Sequence, residues 1–294
     1  MLGGPSSERE VSLRSGAAVA RALRSLGHTV TELDPRDSSW ILPSGTDVVF
    51  LALHGTYGED GTVQAQLEKL RVPYTGCGPD ASHLAFDKVL TKKRCIEAGI
   101  STAPFLVFDS PLAPWPDDWE PPVVLKPVRQ GSSVGLQMVE KIADWPAALA
   151  ESFRHDTQVL MEEKIVGRET TVGIIGNQPL PVVEVRVKQG IFDYKNKYTK
   201  GAADHICPAD FPPDVTARIQ GAALGAFQAI GGRDYARVDV MVRNNREPFV
   251  LEVNTLPGMT ELSVLPEAAA AAGMNYAQLC QRIVDLAMQR SVNK

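Results

Sequence analysis

One stretch of the chain, RVDVMVRNNREPFVLEVNTLPG from Arg237 to Gly258, restricts the fold more than any other. Its two apolar runs read as the strands of a hairpin, and each carries an oxygen-bearing side chain inward: Asp239 in the first, Glu252 and Asn254 in the second. Side chains two residues apart on a strand project from the same face, so Glu252 and Asn254 share one. Opposite Asp239 they make an all-oxygen cluster suited to a hard cation such as Mg²⁺, with phosphate oxygens completing the shell. Arg237 points the same way as Asp239 and sets a permanent cation beside that cluster. The Thr-Leu-Pro-Gly turn that follows lets backbone N–H groups approach a ligand closely. A surface hairpin with scattered acids is the plain alternative. Val238, Val240, Val250, Leu251 and Val253 argue against it, because they imply burial and acids are rarely buried without partners.

Composition excludes several classes. The chain has 294 residues, 44% hydrophobic and 22% charged, which fits one to three globular domains and not a disordered chain. Net charge is −5 with Lys and Arg scattered, so no nucleic-acid footprint is present. A nucleotide ligand would need locally placed cations, which makes individual lysines and arginines informative. Cys77, Cys95, Cys207 and Cys280 lie far apart without metal-ligand spacing, as expected of reduced thiols in a cytoplasmic protein. No apolar run approaches the ~20 residues of a membrane span, and the amino terminus has no signal-peptide pattern.

Along the chain, PSSEREVSLRSGAAVARALRSLG reads as an amphipathic helix with Ser7 and Glu10 at capping-box spacing. A Gly-Gly turn into a helix ordinarily follows a strand, and only Met1 and Leu2 precede this one, so a first strand is expected upstream of Met1. His28 to Leu33 and Asp47 to Leu53 read as buried parallel strands, and Gly61 to Leu70 as a helix. These make residues 1–77 an open α/β domain whose ligands sit beyond the strand carboxyl ends. Residues 78–162 form a second unit: a helix over 79–98, a Pro-rich loop, and strands PVVLKP and QVLMEEKI flanking RQGSSVG. Residues 163–294 form a third, with strands ETTVGIIG and LPVVEVRV, a polar excursion over 188–213, a helix from Asp214 to Ile230, the hairpin, and a closing helix. A loop that long in a compact domain is usually a functional lid or disordered. The class is α/β, α+β overall.

Several residues stand where chemistry can occur. Lys126 ends an apolar strand, and a lysine emerging from a buried strand is costly without a partner. RQGSSVG can cover phosphates or serve as an ordinary hairpin turn, and it is not the P-loop pattern. Glu162 and Glu169 could hold an adenine amino group and ribose hydroxyls, or belong to a solvated acidic loop. His54 follows an apolar strand at its carboxyl end, among Gly55, Gly58, Gly61, Glu59 and Asp60, which favours a ligand-facing turn. Lys188, Lys195, Lys197 and Lys200 give the excursion around Tyr198 a positive character, suited to closing over phosphates or simply to solvation.

Together these segments resemble the D-alanine–D-alanine ligases, a branch of the ATP-grasp superfamily. HGTYGEDGTVQ is similar to that family's first signature and RVDVMV…LEVNTLPGMT to its second, while GGPSSEREVSLRSG, YTGCG…AFDK, KP…GSSVG and KY…CPA match in order and spacing. The resemblance spans almost the whole chain. It implies an ATP-grasp fold, with an amino-terminal α/β domain and two domains clasping ATP. Lys88, Lys126, Ser133 and Lys197 would contact the phosphates, Glu162 and the backbone near Ile165 the adenine, and Glu169 the ribose. Asp239, Glu252 and Asn254 would hold two Mg²⁺ ions, or Mn²⁺. Glu8 and His54 would place the first D-alanine, and Ser132, Tyr198 and Glu8 would form a hydrogen-bonded triad holding the lid. Arg237 and the Gly258 N–H would form an oxyanion hole, and Ser263, next to Val264, would take the second D-alanine's carboxylate.

The implied reaction is ATP-dependent ligation of two D-alanines through a D-alanyl phosphate, for peptidoglycan precursors, by a cytoplasmic homodimer that binds neither membrane nor nucleic acid. Joining D-alanine to another second substrate such as D-lactate is the alternative. Tyr198 favours the amide, since relatives making D-alanyl-D-lactate carry a different residue there. Ala65 stands where the family usually has glycine, and Val264 where leucine is common.

Overall fold

The computed structural model describes residues 1–37, 40–187 and 203–292. In the amino-terminal part, helices α1 (Arg9–Ser25) and α2 (Thr62–Leu70) flank the chain segment around Val49–Leu53. The two expected parallel strands do not form as regular strands, and residues 28–33 are largely exposed. Between them lie only Met1 and Leu2: Leu2 N–H donates to Leu33 O at 3.0 Å, and Ala52 N–H to Met1 O at 3.0 Å. The Met1 ammonium also donates to Phe50 O at 2.6 Å, and Val49 bridges in parallel to Tyr74, with Val49 N–H donating to Pro73 O at 2.8 Å and Thr75 N–H to Val49 O at 3.0 Å. The expected capping box is also absent. Glu8 stands at the N-cap without a side-chain cap bond, and Ser6, not Ser7, turns its hydroxyl inward to His54 O at 2.6 Å.

The expected helix over 79–98 is two helices, α3 (Pro79–Phe86) and α4 (Lys88–Glu97). Asp87 breaks them with an extended backbone and caps α4 by accepting from Leu90 N–H at 3.0 Å. Asp is a strong N-cap residue, and the break fixes Lys88 at the start of α4.

Strands β1 (Phe105–Phe108), β2 (Val123–Pro127) and β3 (Gln137–Val139), helix α5 (Trp145–Phe153) and strand β4 (Val159–Glu163) build a four-stranded antiparallel sheet in the order β1-β4-β2-β3, backed by α5. Alternation along β2 sends Val123 and Leu125 into a core with Trp145, Leu149 and Met161, and leaves Val124 and Lys126 on the other face.

The second sheet is also antiparallel: β5 (Gly167–Ile175), β6 (Gln178–Pro179), β7 (Val183–Val187), β8 (Ala203–Ile206), β9 (Tyr235–Arg243) and β10 (Glu247–Asn254), in the order β10-β9-β5-β7-β8 with β6 on β5. β8 lies within the stretch expected to be a polar excursion, where β7 supplies it a partner from Glu184 to Val187. Helix α6 (Pro213–Ala229) covers the sheet, packing Ile219, Ala223 and Phe227 against Val238, Val240 and Val250. Helices α7 (Val264–Ala271) and α8 (Tyr276–Val292) close the fold, and Leu279 and Ile283 share a core with Leu51 and Leu23 of the amino-terminal part. The amino-terminal part and the last helix therefore meet in one core. Among the described residues no helix is long and apolar enough to cross a membrane.

Candidate active site

A cavity of about 210 Å³ opens between the outer faces of the two sheets. The first sheet contributes Val124, Lys126 and Met138, the second Glu169, Asp239 and Met241, and Lys88 and Ser133 reach in from α4 and the Gly-Ser loop. Its walls are partly charged and partly apolar, and Val124, Met138, Met241 and Leu251 supply an apolar slot suited to a flat aromatic ring.

Hairpin register explains the charged part of the lining. Asp239 pairs directly with Glu252 and Arg237 with Asn254, with a bulge between Val250 and Glu252. A bulge lets neighbouring side chains point the same way, which is how both Leu251 and Glu252 line the cavity. Arg237 forks onto Asp239, Nε to Oδ1 at 2.8 Å and Nη2 to Oδ2 at 2.8 Å. Asn254 Nδ2 lies 3.3 Å from Asp239 Oδ2 and 3.5 Å from Glu252 Oε1. Thr171 donates to Asp239 Oδ1 at 2.7 Å and fixes that carboxylate from the neighbouring strand. Lys88 Nζ sits 3.8 Å from Glu252 Oε2 and donates to Gln130 O at 2.5 Å, so helix, hairpin and Gly-Ser loop meet at one ammonium.

A second ion cluster supports Lys126. Glu162, 2% exposed, pairs with Lys126 through one oxygen and with Lys92 Nζ through the other at 2.6 Å. Burial alone would raise the Glu162 carboxyl; the two ammonium groups overcome it and hold its pKa down to about 2. Lys92 is 1% exposed and also donates to Thr102 Oγ1 at 2.6 Å and Ala103 O at 3.0 Å. Thr102 in turn donates to Val250 O at 2.9 Å, which ties this cluster to the hairpin. Removing one partner of a buried pair leaves an uncompensated charge, at a cost of about 3 kcal/mol. Lys92→Met is therefore expected to lower the free energy of unfolding, measured by urea titration, by that amount, and adding Glu162→Gln to recover part of it in a double-mutant cycle.

Beyond Lys88 a smaller cavity continues the cleft, lined by Glu59, Gln130, Gly131, Glu252 and Asn254. Glu8 lies against it and accepts a hydrogen bond from the Ser132 hydroxyl. A Cβ on Gly131 would come within 3.2 Å of Glu8 Oε2, and one on Gly55 within 3.0 Å, so a side chain at either would press the carboxylate aside by a few tenths of an ångström. Ser132 and Ser133 adopt left-handed backbone angles, φ 50° and 59°, uncommon for side-chain-bearing residues and a form of strain associated with functional sites. Glu59 accepts from Gly55 N–H at 2.9 Å. Burial, with Glu8 nearby, pushes its pKa up to about 8.

His54 is buried, and both ring nitrogens are engaged: Nδ1 with Leu256 O at 3.0 Å, Nε2 with Ser15 Oγ at 3.3 Å. Gly258 faces Ser263, whose Oγ lies 3.0 Å from where a Cβ on Gly258 would be. The Ser263 hydroxyl also accepts from Thr260 N–H at 3.1 Å, and Val264 begins α7 behind it.

Of the residues singled out in the sequence, the structure gathers Lys88, Lys126, Ser133, Glu162, Ile165, Glu169, Asp239 and Glu252 around one cavity. Asn254 and Arg237 pair across the same hairpin and both bond Asp239, and Glu8 and Ser132 are joined by a hydrogen bond. Tyr198 and Lys197, with Lys188, Lys195 and Lys200, lie outside the described residues. Lys92 was missed, although Val89, Lys92 and Cys95 at three-residue spacing share one buried helix face. Met241 was legible two residues beyond Asp239. Leu251 was not, because only the bulge turns it to the cavity.

The family model D-ala D-ala ligase C-terminus matches residues 97–285, and the model D-ala D-ala ligase N-terminus residues 35–77. The D-alanine–D-alanine ligase of Methylacidiphilum infernorum is 45% identical over 291 residues, covering 99% of this chain and 95% of that one. That of Syntrophotalea carbinolica is 46% identical over 289 residues, covering 97% and 93%. Among solved structures, D-alanine–D-alanine ligase from Bacillus anthracis complexed with ATP superposes with a TM-score of 0.86 at 30% identity, covering 99% of this chain and 97% of that one.

Proposed function

The chain belongs to the D-alanine–D-alanine ligase family and has its ATP-grasp fold, and on that premise we propose how its residues join two D-alanines at the expense of ATP. The observation that carries this reading is the cavity between the sheets, where Lys88, Lys126, Ser133, Asp239 and Glu252 surround one space. We divide the chain into an amino-terminal domain, 1–77, and two domains, 78–162 and 163–294, that clasp the nucleotide; the two separate sheets support that division.

The apolar slot takes adenine, with the backbone near Ile165 and the Glu162 carboxylate reading its edge. Each Glu162 oxygen has lone pairs beyond those used by Lys92 and Lys126, so it can still accept an amino hydrogen. Glu169 serves the ribose. Lys88, Lys126 and the Ser133 loop place the phosphates, whose terminal group passes to the first D-alanine's carboxylate. Two carboxylates and an amide from one hairpin, beside phosphate-facing lysines, form a hard-oxygen donor set that fits Mg²⁺. When bound there, the metal supplies neutralisation of charge on the transferring phosphoryl group.

Glu8, oriented by Ser132, takes the first D-alanine's ammonium. The product of the first step is a D-alanyl phosphate, and the second D-alanine, its carboxylate at Ser263, attacks the acyl carbon with its free amine. The oxyanion that forms is met by Arg237 and the Gly258 N–H, and collapse expels phosphate. We assign the enzyme to peptidoglycan precursor synthesis in the cytoplasm, acting as a homodimer.

With ATP, D-alanine and D-lactate supplied together, the purified protein is expected to release ADP in step with D-alanyl-D-alanine. ADP release independent of D-alanine, or D-alanyl-D-lactate as the main product, contradicts this assignment.

A further inference from the structure

The turn after the hairpin is fastened on both sides of Gly258 by one buried hydrogen-bonded ring. Leu256 O accepts from the His54 ring at Nδ1, 3.0 Å away. Met259 N–H donates to Ser15 Oγ at 3.2 Å. Ser15 Oγ and His54 Nε2 are 3.3 Å apart and close the ring. Since Met259 donates to Ser15 and Leu256 O can only accept, one proton arrangement satisfies every member. His54 is neutral with its hydrogen on Nδ1, and the Ser15 hydroxyl donates to Nε2. Burial, which lowers the His54 pKa, agrees with the neutral ring. Ser15 is 0% exposed, His54 6%, and Leu256 and Met259 1% each, so water does not compete for these bonds. The Tyr276 hydroxyl donates to Met259 O and holds the same turn from α8.

We propose that Ser15 and His54 are positioning residues, which act as a bracket holding Leu256 and Met259 so that the Gly258 N–H between them stays aimed at the oxyanion. The proposal rests on the oxyanion reading of Arg237 and Gly258 given above. It moves His54 from touching substrate to setting the turn that does. Ser15 belongs to α1 and His54 to the segment after Leu53, so the amino-terminal domain thereby shapes a catalytic element of the carboxy-terminal one. Displacement of a catalytic group by about 1 Å can cost 10²-fold in rate, and a backbone donor released at one end drifts on that scale.

Ser15→Ala removes one link of the bracket while leaving the nucleotide cavity untouched. Its kcat for dipeptide synthesis is expected to fall by about 10- to 10²-fold. The KM for ATP should stay unchanged, and so should positional isotope exchange in ATP labelled at the β,γ-bridge, which reports reversible formation of the acyl phosphate. Should Ser15→Ala not fold, His54→Asn, whose amide can still donate to Leu256 O, reads the same split. Dipeptide turnover at the wild-type rate, or equal loss of exchange and turnover, overturns the bracket. Undiminished turnover in Arg237→Ala would instead remove the oxyanion reading on which the bracket depends, so the two failures are distinguishable.

Discussion

Arg237→Ala should bind ATP and form the acyl phosphate, yet make D-alanyl-D-alanine about 10²–10³ times more slowly. In the oxyanion role proposed for it, the guanidinium meets charge only once the amine has attacked, so its loss should fall on the second step. Preorganised donors matter most where charge develops away from water, and removing one typically costs that factor. Arg237 also forks onto both oxygens of Asp239. Its removal frees a carboxylate for a cation, so nucleotide affinity should hold or tighten. A steady-state assay for dipeptide beside an equilibrium nucleotide-binding measurement checks both halves.

Replacing Asp239 by Asn together with Glu252 by Gln should have the opposite profile. The two carboxylates face each other across β9 and β10, and the amides keep their shape while removing the charge that attracts a divalent cation. Metal stabilisation of a transferring phosphoryl group is worth several kcal/mol. Losing about 4 kcal/mol lowers the rate ~10³-fold, and ADP formation itself should disappear with the dipeptide. Titration with Mg²⁺ should show a large rise in the concentration needed for residual activity.

The legible parts of this site were those in which a side chain contradicts its surroundings. Asp239 and Glu252 stand in valine-rich strands, and Lys126 ends an apolar one, so each had to have a partner. Lys92 gives no such contrast in the run Lys92-Lys93-Arg94, which reads as a solvated face although one member points inward. The amino-terminal strands were misread because an apolar run shows a tendency to burial and not whether its backbone pairs as a ladder; here Leu33, Phe50 and Ala52 meet Met1 and Leu2 through single hydrogen bonds. Capping was misread at Glu8 for a different reason. Ser7 and Glu10 carry the local signal, but the helix starts where Glu8 can reach Ser132, 124 residues away, a long-range contact that overrides local preference. Ser15 was invisible as anything but a small residue on a helix, since its role exists only when the turn at Leu256 folds against it.

The central claim is that one hairpin divides its labour, with Asp239, Glu252 and Asn254 serving phosphoryl transfer and Arg237 with Gly258 serving the acyl transfer that follows. Positional isotope exchange in bridge-labelled ATP, run with D-alanine on Arg237→Ala and on the Asp239→Asn, Glu252→Gln double variant, tests it most directly. Exchange should persist in the first while dipeptide synthesis is lost, and vanish in the second together with it. Loss of exchange in Arg237→Ala, or its survival in the double variant, would contradict the division.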